Sequence, residues 1–140
     1  ALYVVLYSPV QMAADLVEHY EANSKPLQFI NDVGVDWSET KVLDGKVGDF
    51  VTIARKERKT DDWFLGSITD ENSREINLDF DFLDKGVSYK ATIYKDGKTA
   101  HWDTNPLSME IETLTINKKT KLKIYMAAGG GVAISLKKKR

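Results

Sequence analysis

Apolar residues follow two different spacings along this chain. Ala1-Leu2-Tyr3-Val4-Val5-Leu6-Tyr7 opens it as an unbroken apolar run. Ser8-Pro9-Val10-Gln11 then has the form of a helix start, with Ser8 as N-cap, Pro9 at the first helical position and Gln11 completing a capping box. Met12, Ala13, Leu16 and Val17 recur at the spacing of one helix face, which predicts a helix from Pro9 that fades near Tyr20. A short helical turn is expected over Leu27 to Ile30, and Gly34 ends the region. From about Lys41 the period becomes two. Strands are predicted at Phe50–Arg55, Trp63–Thr69, Arg74–Phe82, Val87–Tyr94, Met109–Ile116, Leu122–Met126 and Val132–Leu136. Turn signals separate them: Asp44-Gly45, Lys85-Gly86, Asp96-Gly97, Asn117-Lys118 and Gly129-Gly130-Gly131. Seven or eight short, half-buried strands at this spacing predict a mainly β fold. The expected architecture is an antiparallel β-sandwich of Greek-key type, about 100 residues long, preceded by one or two N-terminal helices. The pattern changes near Asp36, dividing the chain into a helical segment, residues 1–34, and a sandwich, residues 35–140.

Composition narrows the function classes. The chain has 140 residues, with 20 Lys+Arg against 21 Asp+Glu and a net charge of −1. That balance gives no electrostatic reason to expect nucleic acid or an anionic membrane as a partner. With no Cys there is no disulfide scaffold, thiolate nucleophile or Cys-ligated metal, and two His residues cannot make a His-rich metal site. Seven apolar residues at the start are too few to cross a bilayer, which takes roughly 20. No basic region precedes them and no small-residue cleavage site follows, so a signal peptide is not expected, and a start on buried-type residues gives the expectation of a chain cut from a longer protein. The basic tail Lys137-Lys138-Lys139-Arg140 reads as a solvated terminus.

Several residues invite a chemical reading. Glu110 and Glu112 sit two apart on a predicted strand, so their side chains leave one face about 6.6 Å apart along the backbone. That is near the separation of an inverting glycosidase pair. Two parallel side chains cannot flank a scissile bond from opposite sides, so a solvated strand face is expected. Asp79 and Asp81 read the same way. Asp70-Glu71-Asn72 offers three adjacent oxygens to a cation, but a plain turn accounts for it. His101 lies in a loop, Ala100-His101-Trp102-Asp103-Thr104-Asn105-Pro106, without an activated-nucleophile motif such as G-x-S-x-G. Gly129-Gly130-Gly131 precedes a strand and reads as a turn with unusual backbone angles. Trp37, Trp63 and Trp102, with Tyr94 and Tyr125, could form a sugar-stacking platform. Trp63 sits beside Phe64 and Leu65 and belongs to packing, which leaves Trp102, with His101 beside it, as the candidate sugar contact.

Longer blocks resemble a known family. Ala1 to Asp15 is similar to the segment near the end of the catalytic barrel in glycoside hydrolase family 97. Val35-Asp36-Trp37-Ser38-Glu39-Thr40-Lys41-Val42-Leu43 resembles its entry into the C-terminal domain. Val47 to Lys56, Asp62 to Glu71 and Gly129-Gly130-Gly131-Val132-Ala133-Ile134 continue the similarity. The resemblance implies a place in a larger enzyme with an N-terminal β-supersandwich, a central (β/α)₈ barrel and a C-terminal β-sandwich. Such enzymes hydrolyse α-glucosides or α-galactosides, usually with calcium, and many are periplasmic enzymes of gut bacteria. Their catalytic and calcium-binding carboxylates lie upstream of the segment present here, so no catalytic or metal residue carries over.

The expected function is therefore structural: a non-catalytic C-terminal domain that supports the catalytic barrel of the same polypeptide and mediates homo-oligomerisation. The alternative is an accessory carbohydrate-binding module using Trp102 and His101. No cofactor is expected in this chain, calcium belonging to the parent enzyme, and a periplasmic or secreted location is implied by the resemblance alone. Leu2, Val5, Leu6, Pro9, Met12, Ala13 and Leu16 would form one apolar face of the N-terminal segment. That face is expected to pair with its counterpart in a second copy.

Overall fold

The computed structural model describes residues 1–139. Three short helices come first: α1 (Leu2–Val5), α2 (Val17–Ala22) and α3 (Ser24–Asp32). Eight strands follow among the described residues: β1 (Trp37–Lys46), β2 (Phe50–Glu57), β3 (Trp63–Thr69), β4 (Arg74–Asp79), β5 (Ser88–Asp96), β6 (Met109–Asn117), β7 (Lys121–Met126) and β8 (Gly131–Lys138). All pair antiparallel, in a six-stranded sheet of order β1-β2-β3-β8-β5-β6 and a two-stranded sheet of β4 and β7. The chain crosses to the small sheet after β3 and again after β6, returning each time. These crossings place β8 between β3 and β5 and make the two sheets a sandwich.

The alternation read from the sequence decides which side chains fill it. Ile76, Leu78, Ile124 and Met126 point inward from the small sheet, while Glu75, Asn77, Lys121, Lys123 and Tyr125 face outward. Trp63, Leu65, Tyr89, Ala91, Ile93, Val132, Ile134 and Leu136 meet them from the large sheet. Phe80 and Leu83, in the link between β4 and β5, complete this core. Thr52 and Ser67 are also buried there, and their hydroxyls bond each other at 2.8 Å, so neither is left unsatisfied. The opposite face of the large sheet carries a second cluster: Val4, Phe29, Trp37, Phe64, Tyr94 and Ala133. Phe29 meets Tyr94 and Phe64 edge-on at 5.4 and 6.2 Å, which fastens α3 to the sheet.

The N-terminal segment departs from the expectation. No helix runs from Pro9 to Tyr20; residues 6–16 are irregular, and the helices lie on either side of them. Ser8 does not cap a helix, because its hydroxyl bonds within a local turn to Val10. Leu6, Val10, Met12 and Leu16 are exposed, so the amphipathic face has nothing to bury against. A short helix without a packed face is marginal in water, which is why the capping signature fails. The segment does fold back on the sheet, through Val4. The turn expected at Leu27–Ile30 belongs to a longer helix, α3.

Candidate functional site

Two places bring polar groups from distant parts of the chain together. The first fastens α1 to the large sheet. Arg55 of β2 is buried, with Nε donating to the Val4 carbonyl at 2.6 Å and Nη1 to Thr40 Oγ1 at 3.0 Å. Its guanidinium also lies 5.7 Å from the Tyr7 ring. Burial pushes the Arg55 pKa down from its ordinary value, although guanidinium remains charged at any working pH. Gly66 of β3 lies directly beneath the helix, where a Cβ would meet Ala1 O at 2.7 Å and Val4 Cβ at 3.0 Å.

The second is a cleft of about 610 Å³ at the end of the sheet where β5, β8 and the 97–108 loop converge. Asp96 closes β5 and reaches the β7–β8 turn, where its Oδ2 accepts from Ala127 N at 2.8 Å and Gly131 N at 2.9 Å. Burial pushes the Asp96 pKa up, and the two backbone donors pull against that shift. The three glycines have separate reasons. Gly129 has φ of +68°, Gly130 leaves room for the Asp96 carboxylate, and Gly131 runs close to the Ser67 carbonyl. The expectation of unusual angles holds for the first of them.

Trp102 and His101 border this cleft. Trp102 is 62 % exposed and rests on Gly129, and the His101 ring stacks on it with centroids 5.8 Å apart. His101 Nδ1 accepts from the backbone of Asp103 at 3.2 Å and Thr104 at 3.3 Å, which holds the loop tip in shape. No nucleophile is hydrogen-bonded to it. The wider aromatic platform does not assemble. Trp63 is in the sandwich core against Phe82, Trp37 and Tyr94 are buried beneath the helices, and Tyr125 is on the outer face of β7.

Glu110, Glu112 and Asp79 have ordinary partners, and Asp81 does not share the strand face of Asp79, because β4 ends at Asp79 and Asp81 lies in the turn that follows. Glu110 and Glu112 share Lys95 at 3.8 and 3.0 Å, and Asp79 pairs with Lys121 across the small sheet at 3.1 Å. Asp70 Oδ1 takes Arg74 Nη2 at 2.7 Å and Asn72 N at 3.0 Å, so a guanidinium stands where a cation would have to bind. No group of three or more His, Asp or Glu suited to a metal occurs among the described residues. Arg74 also lies 4.7 Å over Phe50, beside an open hollow of about 810 Å³ under the β1–β2 hairpin.

The Arg74 contact, with Asn72 N adding to it, holds the Asp70 pKa down at about 2, against an ordinary 3.8. A folded-state pKa below the unfolded one stabilises the fold above the unfolded value, and that contribution disappears as pH falls from about 4 through 2. Arg74→Ala should return the Asp70 midpoint toward 3.8, read by carbon NMR titration of its carboxyl group. An unmoved midpoint would mean that the turn backbone alone holds Asp70 ionised.

Residues 36–137 match the family described as glycosyl-hydrolase 97 C-terminal, oligomerisation. The chain belongs to this family. It is 42 % identical over 138 residues to a retaining alpha-galactosidase of Bacteroides thetaiotaomicron, a match covering 98 % of this chain and 20 % of that protein. A glycoside hydrolase family 97 enzyme from Pseudoalteromonas sp. strain K8, solved with panose, superposes with a TM-score of 0.96 at 50 % identity. That match covers 99 % of this chain and 22 % of the enzyme, and the same enzyme solved with acarbose agrees equally well. A beta-arabinopyranosidase shares the fold, at 24 % identity and a TM-score of 0.71. The chain thus spans about a fifth of the length of these family 97 relatives. Residues 36–137 are the family's C-terminal domain.

Proposed function

We propose that this chain is the supporting and oligomerising end of a glycoside hydrolase that cleaves α-glucosidic or α-galactosidic bonds. The observation that carries the reading is the match of residues 36–137 to a C-terminal oligomerisation domain, together with relatives about five times as long. On this reading, residues 1–34 are the end of the catalytic barrel and its linker. The exposed apolar side chains of Leu2, Leu6, Val10, Met12 and Leu16 support that role, since apolar surface of this extent is normally covered by another part of a protein. The parent's calcium would be held by carboxylates outside this chain, and a periplasmic or secreted location would come from the same parent.

Two measurements test the reading. Light scattering should give the mass of at least a dimer for the purified chain, and a monomer at all concentrations would remove the homo-oligomer. The chain should not hydrolyse aryl α-glucosides or α-galactosides, with or without calcium. Turnover that survives purification and vanishes in Glu110→Gln would overturn the non-catalytic assignment.

One feature favours a second reading, an accessory sugar contact. Trp102 presents an exposed ring held in place by Gly129, and the neighbouring Asp96 uses Oδ2 for both of its backbone bonds, leaving Oδ1 for another donor. A flat ring beside a carboxylate suits the C–H face and hydroxyls of a pyranose. Titration with malto-oligosaccharides should then change tryptophan fluorescence in the natural chain and not in Trp102→Ala. No change in the natural chain would remove this reading.

A further inference from the structure

The outer strands of the six-stranded sheet are β1 and β6, and they are guarded very differently. An outer strand offers a row of unpaired N–H and C=O groups to any strand that approaches, so edges are usually blunted by bulges, charges or proline. β1 has such guards. Its register with β2 shifts twice, between Trp37 and Glu39 and between Val42 and Asp44, and Glu39, Asp44 and Lys46 are exposed along it. β6 has none of the backbone guards. All nine of its residues pair with β5 in unbroken register, from Asp96 with Met109 to Ser88 with Asn117. It contains no Pro, Gly or Lys, and Met109, Ile111 and Leu114 are 49, 39 and 37 % exposed. Its two acids are offset by Lys95 of the neighbouring strand.

We propose that β6 pairs antiparallel with β6 of a second copy of this chain, across a two-fold axis at Leu114, joining the two large sheets into one. This deepens the oligomerisation reading and rests on it, adding the surface and the register. A two-fold axis perpendicular to a sheet leaves each side chain on its own face, so the axis must pass through a residue rather than between two. Centring on Ile111 would place Glu110 against Glu112, and centring on Glu112 would place that acid against itself. Centring on Thr113 sets both acids against Leu114 and Ile116. Centring on Leu114 places Leu114 against its own copy, Thr113 against Thr115 of the partner subunit, Glu112 against Ile116 of the partner subunit and Glu110 against Lys118 of the partner subunit, so that one acid rather than two faces an apolar side chain. That register pairs seven residues on each side, Ile111 to Asn117, with opposite charges at both ends. The helices flank the start of the strand across a groove at Met109 and Ile111, which also favours a centre toward its far end.

The absence of natural cysteine makes the test clean. Directly opposed residues of an antiparallel pair have Cβ atoms about 4.5–5.5 Å apart, close enough to reach disulfide geometry with a small adjustment. Leu114→Cys should convert mostly to a covalent dimer under mild oxidation, while Ile111→Cys and Thr113→Cys should remain largely unlinked. Leu114→Lys, which sets two ammonium groups on the axis, should weaken dimerisation at least tenfold with an unchanged circular dichroism spectrum. If the natural chain is monomeric throughout, the oligomerisation reading itself fails. If it is a dimer that Leu114→Lys leaves intact and Leu114→Cys does not link, the interface lies elsewhere and the β6 edge is overturned. Linking at Thr113→Cys instead would overturn the register.

Discussion

Gly66→Val should lift α1 off the large sheet while leaving the sandwich folded. Even a single Cβ at this position would stand 2.7 Å from the Ala1 carbonyl oxygen, 3.0 Å from Val4 Cβ and 3.3 Å from Val5 Cγ2. Two of those atoms are backbone or the stiff start of a branched side chain, so the neighbour that gives way is the helix itself. Its four residues are held chiefly by the burial of Val4, with Ala1 packed on the same cluster, and by the bond from Arg55 Nε to the Val4 carbonyl. Burying a valine contributes about 1.5–3 kcal/mol. A hydrogen bond from a charged donor contributes about 1.5–3 kcal/mol more. Losing both amounts to roughly 3–6 kcal/mol, enough to leave the segment largely detached. The core between the sheets does not touch Gly66, so far-UV circular dichroism should keep its β signal. Hydrogen exchange at Val4 to Leu6 should accelerate by about 100-fold or more, as for a local opening. Arg55→Ala should reproduce the effect from the other side. Unchanged protection in both variants would mean that the segment is held by contacts other than these.

The strands were legible because their burial alternates, and the exception shows why. β4 and β7 carry Ile76, Leu78, Ile124 and Met126 inward with charged residues between them, and a period of two is visible without any structure. β1 is a ten-residue strand whose residues are almost all exposed, so it has no apolar alternation to read. Its place comes from pairing with β2 at the edge of the sheet. The N-terminal helix failed for the complementary reason. Ser8, Pro9 and Gln11 have the right local chemistry, but a cap stabilises a helix only by about 1 kcal/mol, and the face from Met12 to Leu16 has no surface to meet in this chain.

The polar sites were legible in part. The glycine run marked a special turn, and the loop that carries His101 and Trp102 could be read from its turn-forming residues. The contacts of Arg55 and Asp96 could not be read at all. Arg55 reaches Val4 across 51 positions, and Asp96 reaches Ala127 and Gly131 across 31 and 35. Each looks locally like one more charged residue at a strand position. What distinguishes them is burial among groups brought together from far along the chain, by the β1–β2 pairing and the docking of α1 for Arg55 and by the β5–β8 pairing for Asp96, which no local pattern contains.

Asp96→Ala should be the more damaging of the two substitutions in the sandwich as a whole. Asp96 ties the end of β5 to the turn through which the chain passes from β7 in the small sheet to β8 in the large one. Two backbone N–H groups end on its Oδ2, and Gly130 is kept without a side chain because a Cβ there would overlap that oxygen. Hydrogen bonds to a charged group contribute about 1.5–3 kcal/mol each, so removing the carboxylate costs roughly 3–6 kcal/mol. That is a large part of a typical domain stability of about 5–15 kcal/mol. Asp96→Asn separates the two roles of the group. Its amide oxygen can still accept from Ala127 and Gly131, but it carries no charge to desolvate. Because the Asp96 pKa is raised above 3.8 in the fold, its ionisation weakens the fold as pH rises through 3.8 and the values just above it. The asparagine variant escapes that loss. It should therefore lie within about 1 kcal/mol of the natural chain at pH 7 and show a flatter stability profile just above pH 4. Urea unfolding at pH 7 and at pH 4 measures both effects, with the slope checked to show that the unfolded state has not changed. An alanine variant as stable as the natural chain would mean that the crossover between the sheets is held by strand pairing alone.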